Sequence, residues 1–265
     1  MMPTLSLKRL IRMLWPPVLL AVVLIGGWQL IAEYWVKNPE VLPSPSQIVS
    51  AGWGQRRALA HNAWPTLRET ELGFAFSFCV AWLLATAMDF SPAARRAVYP
   101  LLVASQTVPI IAIAPLFVVM FGFGIGPKIL LVALATFFPL AASLAAGFAN
   151  ADEDADRLLR SMGASRWRIF WTMRVPGALP FFFTGLRVAI TYAIGGAIFA
   201  EYAGAESGLG IYLQQMQQVF RTDLVFATVA VIAIGSVVLF ALTYLLERWL
   251  TPWRRHERAG REAAK

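Results

Sequence analysis

Polar residues beside long apolar runs are the first candidates for chemistry in this chain. Gln106 and Thr107 stand just before Pro109 in an otherwise apolar stretch, and Glu201 and Tyr202 close a later one. Polar groups next to a proline break are typical of helices that line a path for a solute. A hydrogen bond that only packs two helices together is the alternative. We predict that these five residues form a translocation path or its gate.

Two acidic residues at the ends of apolar runs have more specific interpretations. Asp89 ends one run and is interpreted as an anchor at the edge of the apolar layer. Glu201 ends another, and the alternatives for its carboxylate are an outer gate contact and a salt bridge, with Arg221 as the candidate partner. The sequence alone leaves both alternatives open.

Catalytic and metal-binding motifs are missing from the sequence. The glycine cluster Gly122–Lys128 does not have the spacing of a phosphate-binding loop. The two histidines, His61 and His256, fall on opposite sides of the membrane in the topology given below, so they cannot form one metal site. A single cysteine, Cys79, excludes a disulfide within the chain. We therefore predict no catalytic, cofactor-binding or metal-binding residue.

A polar and basic segment, residues 152–180, separates two apolar runs and has the pattern of two short amphipathic helices. The first begins with acidic residues and ends at Gly163, and the second is capped by Ser165 and ended by Pro176. Helices this short are marginal in water. They must therefore dock on another surface or lie at the lipid interface. The expected apolar faces are Ala155, Leu158, Leu159 and Met162 in the first helix, and Trp167, Phe170 and Trp171 in the second.

Composition identifies an integral membrane protein that is all α-helical. The 265 residues are 58% hydrophobic and 14% charged, far from the balance of a soluble domain. The net charge of +8 fits cations that flank membrane spans, which argues against nucleic acid as a partner. We predict one domain, residues 1–265, with six spans. These are about 14–36, 65–89, 98–121, 129–148, 181–200 and 224–246, of which the third is broken by prolines.

The distribution of cations predicts the orientation of the spans. Most of the 23 Lys and Arg residues fall in the N-terminal segment, the loop between spans two and three, segment 152–180 and the C-terminal tail. In a six-span topology these four regions share one side of the membrane. The positive-inside rule makes that side cytoplasmic, so both termini and segment 152–180 are predicted in the cytoplasm.

Segment 152–180 resembles the cytoplasmic loop of permease subunits from ATP-binding-cassette (ABC) importers. The loop of that family reads E-A-A, three residues, Gly, nine residues, and Ile-x-Leu-Pro. Here Gly163 is followed at the same spacing by Met173–Pro176, while Arg157–Leu159 replace E-A-A. Further stretches resemble the nitrate, sulfonate and taurine branch of the family. They are LPSPSQI (residues 42–48), GAS-W (163–167), PGALP (176–180), TGLR (184–187) and SGLG (207–210).

The resemblance implies a fold, partners and a mechanism. It implies the type I importer permease fold in a bacterial inner membrane, with segment 152–180 as the coupling loop. It implies a pore of two copies of this chain, a cytoplasmic ATPase dimer that binds ATP and docks on the loop, and an extracytoplasmic binding protein. The residues implied to contact the ATPase are Leu158, Leu159, Met162, Gly163, Ala164, Trp167 and Phe170.

Two apolar stretches, residues 105–128 and 137–148, most resemble permeases for the pyrimidine precursor of thiamine or for riboflavin. The resemblance therefore implies import of a flat, neutral heterocycle. Few cations lie in this region, which suits such a solute better than a sulfonate or nitrate. A sulfonate, taurine or nitrate permease is the alternative. A secondary transporter is a further alternative, although the sequence does not show the coupling-ion carboxylates and inverted repeats of that class.

Overall fold

A computed structural model describes the chain from residue 7 to residue 252, with side chains from Trp15 onward. The side chains of Lys8, Arg9 and Arg12, and the tail that contains His256, lie outside the described residues. Every regular element between residues 7 and 252 is helical. The prediction of an all-α protein is confirmed.

The described helices follow one another with short connections. Their bounds are α1 (Leu7–Leu30), α2 (Pro45–Gly54), α3 (Arg56–Phe90), α4 (Pro92–Ser105), α5 (Ile110–Phe121), α6 (Ile125–Ala149), α7 (Glu153–Ser161), α8 (Arg166–Ile169), α9 (Val175–Gly204), α10 (Leu209–Gln218) and α11 (Thr222–Leu250). Wider π-helical turns, Ile31–Val36 and Phe170–Arg174, extend α1 and join α8 to α9.

Five of the described helices are long and apolar enough to cross a membrane. They are Trp15–Val36, Arg56–Phe90, Ile125–Ala149, Arg166–Gly204 and Thr222–Leu250. The helix pair α4 and α5 passes the same test together but is bent by 99° at a short break. Counting that pair as one broken span gives the six that the sequence predicts, and counting it as a re-entrant loop gives five.

Two helices have other bounds than the predicted spans. The helix that contains span two begins at Arg56 rather than near residue 65, because α3 takes up residues expected to form a loop. The helix that contains span five does not begin near residue 181, because Pro176 does not end the preceding helix. The N–H of Val175 donates to the carbonyl of Phe170 in a π-helical turn, and the helix continues through Pro176 into α9. The second coupling helix and span five are therefore one continuous helix.

The described part of the chain falls into two compact units, residues 7–60 with 212–231, and residues 61–211 with 232–252. In the first unit, the Ser44 hydroxyl accepts from the backbone N–H of Gln47 and begins α2, as the turn-rich stretch predicted. Gln29 on α1 accepts from the backbone N–H of Ser46 at 3.1 Å. The rings of Trp28 and Phe226 lie 5.6 Å apart between centroids.

In the second unit, α6 and α9 form the main packing interface. Leu144 and Phe148 on α6 belong to one buried apolar cluster with Phe183 and Ala189 on α9. Where these helices meet, small residues let the backbones approach closely, as is common between membrane helices. The prediction that the whole chain is a single domain stays a prediction.

We expect Gly185→Ala to disturb the α6–α9 interface, because a Cβ atom there would lie 2.5 Å from the carbonyl oxygen of Pro139. Overpacking of this kind costs about 1–3 kcal/mol. The measurement is the thermal unfolding midpoint of the purified protein in detergent. Gly195→Ala is the matched control, because a Cβ atom at Gly195 meets nothing within 4 Å. Equal midpoints for the two variants would contradict this packing.

Candidate functional site

The turn at Gly163 separates α7 from α8 as the sequence predicts. Asp152 caps α7 by accepting from the backbone N–H groups of Asp154 and Ala155. Gly163 has a φ of +80°, a left-handed conformation that favours glycine at the end of a helix. Ser165 then caps α8 by accepting from the backbone N–H of Arg168. Two helix ends and a fixed turn therefore set the shape of this loop.

An apolar surface is exposed on both sides of this turn. The exposed fractions are 61% for Leu158, 75% for Met162 and 58% for Trp167. Leu159 and Ala164 are half-buried. Large apolar side chains that remain this exposed outside the spans indicate an interaction surface. We call Leu158, Met162 and Trp167 the coupling face.

The prediction that Phe170 belongs to this contact surface is wrong for this structure. Phe170 is only 1% exposed, and its ring centroid lies 5.3 Å from that of Phe90 and 5.2 Å from that of Phe148. The cause is the continuous helix, since α8 runs directly into span five and its inner side packs on α3 and α6. Phe170 thus anchors the coupling loop to the spans.

A chain of charged residues also ties α7 to the spans. Arg174, in the π-helical turn, forms an ion pair with Asp89 at the end of α3 and lies 3.5 Å from Asp156 on α7. Asp156 in turn accepts from Arg160 at 2.7 Å. The hydrogen bond from Arg160, followed by the charges of Arg160 and Arg174, holds the pKa of Asp156 below its usual value. Asp89 is therefore more than an anchor at the membrane edge, because it holds the arginine that reaches the coupling loop.

A cleft of about 400 Å³ opens beside this charged chain. Its polar lining includes Asp89, Arg95, Asp156, Arg157 and Arg174, and its apolar lining comes from α3 and α6. No pattern in the sequence indicates this cleft, because the cleft depends on how the loop between α3 and α4 meets the coupling loop. It adds a concave, charged surface next to the exposed coupling face.

The predicted path residues lie in two separate places. Gln106, Thr107 and Pro109 are exposed at the break between α4 and α5, where Pro109 begins the second half. Glu201 and Tyr202 lie in the last turn of α9, with Glu201 fully buried and Tyr202 half-buried. In the described part of the chain, no hydrogen bond joins the two groups.

The carboxylate of Glu201 lies in a buried polar cluster. It accepts from the Thr66 hydroxyl at 2.6 Å and from the backbone N–H of Gly210 at 2.5 Å. The expected salt bridge with Arg221 is wrong, because Arg221 pairs with Asp223. Sequence reasoning missed Thr66, although Glu201 and the SGLG turn were both noted.

Lys128 also differs from its predicted place. The predicted spans leave it in the connection before span four, but it lies inside α6, 7% exposed, with its ammonium 2.7 Å from Glu69 on α3. Glu69 stands between Arg68 and Glu71 in the sequence, so nothing in the pattern marks it as the partner of Lys128. A second ion pair, Arg187 with Glu247 at 2.5 Å, joins α9 to α11 and also went unpredicted.

Comparison with known proteins identifies the family of this chain. Residues 77–256 match the family of binding-protein-dependent transport system inner membrane components. The chain belongs to this family. It is an ABC importer permease, a multi-pass inner membrane subunit, and its family implies an ATPase and a substrate-binding protein as partners.

Several curated relatives match the permease over most of its length. It is 37% identical to the formylaminopyrimidine transport permease protein ThiX of Halalkalibacterium halodurans, over 91% of this chain and 96% of the relative. It is 34% identical to the taurine transport system permease protein TauC of Escherichia coli, over 87% of this chain and 86% of the relative. It is 30% identical to the riboflavin transport system permease protein RibX of Chloroflexus aurantiacus, over 93% of this chain and 94% of the relative.

Solved structures of importers share the fold of the permease. An inward-facing MetNI methionine ABC transporter matches with a TM-score of 0.59 and 18% identity, over 76% of this chain and 98% of that one. A chain of an amino acid ABC transporter matches with a TM-score of 0.61 and 16% identity, over 75% of this chain and 96% of that one. The predicted importer permease fold is confirmed.

Proposed function

We propose that the coupling face docks into a groove on a separate ATPase subunit and passes the motion of that subunit to the spans. The single observation that carries the proposal is the exposure of Leu158, Met162 and Trp167 on a loop that Arg174 and Phe170 tie to the spans. Exposed apolar side chains on a short helix are what a helix-in-groove contact requires. ATP is then bound and hydrolysed by the partner, and two copies of the permease form the pore.

Two features support transmission from this surface to the pore. First, α8, the π-helical turn and α9 form one unbroken helix from Arg166 to Gly204, so a push on the loop reaches span five directly. Second, Arg174 links α7 to Asp89 on α3. A movement of the loop therefore acts on two spans. In this scheme, both termini and the loop are cytoplasmic, as the cation distribution indicates.

We expect the double substitution Leu158→Asp with Met162→Asp to lower recovery of the ATPase with the tagged permease by about tenfold or more, because it places two charges in an apolar contact. Both residues are exposed, so the fold should survive. The measurement is co-purification from membranes in mild detergent. Val219→Asp, the same type of change at an exposed residue in a different loop, is the control and should retain the complex. Undiminished recovery of the ATPase with the double variant would rule out docking through this face.

For the substrate, we propose a small neutral pyrimidine of the kind named for the relative ThiX. The support is the 37% identity to that permease over nearly the full length of both chains. The exposed polar residues at the break between α4 and α5, Gln106 and Thr107, are uncharged and can hydrogen-bond ring nitrogens and amides without demanding an anion. With Pro109 and Tyr202 they form the proposed path, and buried Glu201 supports the gate without lining it.

Riboflavin, also a flat heterocycle, is the second candidate because RibX is 30% identical. Taurine or another sulfonate is the alternative that the similarity to TauC favours, at 34% identity. The secondary transporter that the sequence left as an alternative does not fit the family match of residues 77–256. It differs in its energy source, since its uptake would follow an ion gradient rather than ATP.

The test of substrate is uptake into proteoliposomes that contain the permease with its ATPase and binding protein. We expect ATP-dependent uptake of labelled formylaminopyrimidine that a large excess of taurine does not reduce. Riboflavin in excess is the second competitor. Uptake of taurine in place of the pyrimidine would contradict the proposed substrate while leaving the importer intact. Uptake without ATP would contradict the importer mechanism.

A further inference from the structure

Three ionisable side chains come together where α3, α6 and α9 meet, away from the coupling loop. Glu69 is 2% exposed, Lys128 is 7% exposed and Glu201 is not exposed at all. Glu201 accepts from Thr66 on α3 at 2.6 Å, and Glu69 lies three residues further along the same face of α3, paired with Lys128. The two carboxyl groups are therefore neighbours. The docking proposal does not use these contacts, and in the proposed path Glu201 only supports the gate.

The hydrogen bonds of this cluster leave one oxygen without a partner. Lys128 donates to one oxygen of Glu69 at 2.7 Å, and both oxygens of Glu201 accept, from Thr66 and from Gly210. The second oxygen of Glu69, Oε2, is buried and accepts from no donor among the described residues. A buried carboxylate oxygen without a protein donor is costly, because the protein does not replace its lost hydration.

The charges of the cluster do not balance either. Two carboxylates face one ammonium group, and Tyr202, which is next to Glu201 in the chain and interacts with it, is a neutral phenol. Two ionised carboxylates side by side in a buried site repel each other, and such pairs commonly hold one proton between them. A single proton both provides the donor that Oε2 of Glu69 needs and removes the excess negative charge of the cluster.

We propose that Glu69 and Glu201 bind one proton between them, carried by the Glu201 carboxyl group and donated to Oε2 of Glu69. Glu69 then remains a carboxylate paired with Lys128, and the cluster as a whole is neutral. The proton thus joins spans two, four and five at a single buried site.

The SGLG turn (residues 207–210) packs around the carboxyl group of Glu201, so the proton on this group affects the surroundings of the turn. Gly208 has a φ of +137°, and its N–H donates to the Asn62 side chain. A Cβ atom at Gly208 would collide with the Glu201 carboxyl group, and one at Gly210 would lie 2.8 Å from its oxygen. Leu209 also donates its N–H to Thr66 at 2.8 Å. The turn is therefore clamped onto α3 and α9 through a carboxyl group whose negative charge the proton removes.

Infrared difference spectroscopy of the purified permease tests the proposal, because protonated and ionised carboxyl groups absorb at different frequencies. With the proton present, Glu201→Gln removes one protonated carboxyl band, sensitive to D2O, and leaves the carboxylate bands unchanged. Glu69→Gln has the same effect, since the remaining Glu201 becomes the carboxylate partner of Lys128. The two variants are independent, so one that fails to fold does not prevent the test.

Glu206→Gln is the matched control, because Glu206 is an exposed glutamate close by in sequence and should lose only a carboxylate band. The proposal is overturned if Glu201→Gln or Glu69→Gln, like the control, removes a carboxylate band and no protonated band. It is supported if a folded variant loses the protonated band alone.

Discussion

Arg174 is the residue on which the placement of the coupling loop depends. Its guanidinium pairs with Asp89 on the second span and reaches Asp156 on α7, so two acidic residues from different elements converge on one cation. With Arg174 only 23% exposed and Asp89 only 8% exposed at the side chain, loss of either leaves a poorly solvated charge. Phe170 adds an apolar anchor at the base of the same loop. The coupling face is therefore exposed on a loop that is tied to the spans at two points.

The membrane architecture follows from local signals in the sequence, so it could be predicted. Long apolar runs give the spans, Pro109 gives the break, and Gly163 with Ser165 gives the turn between the coupling helices. Pro176 was misleading, because the sequence does not reveal that a π-helical turn lets the helix continue through this proline. Boundaries that depend on such compensation need the structure.

Side-chain partners could not be predicted, since they depend on which spans are neighbours. Glu69 and Lys128 are far apart in sequence and gave no shared pattern, yet they form a buried ion pair. In the sequence pattern, Phe170 fits an exposed face of the helix as well as a buried one. Only its packing against Phe90 shows which side of the helix is covered. The permease thus has two polar centres with different roles, an exposed one at the coupling loop and a buried one around Glu201.

The most direct test of this account is transport by Arg174→Gln in the complete complex with the ATPase and the binding protein. The coupling face remains in this variant, so the ATPase subunit should co-purify as with the wild type. ATP-driven uptake should fall by about tenfold or more, because α7 loses its tie to the second span. Uptake at the wild-type rate, with the ATPase still bound, would contradict the claim that Arg174 transmits the motion.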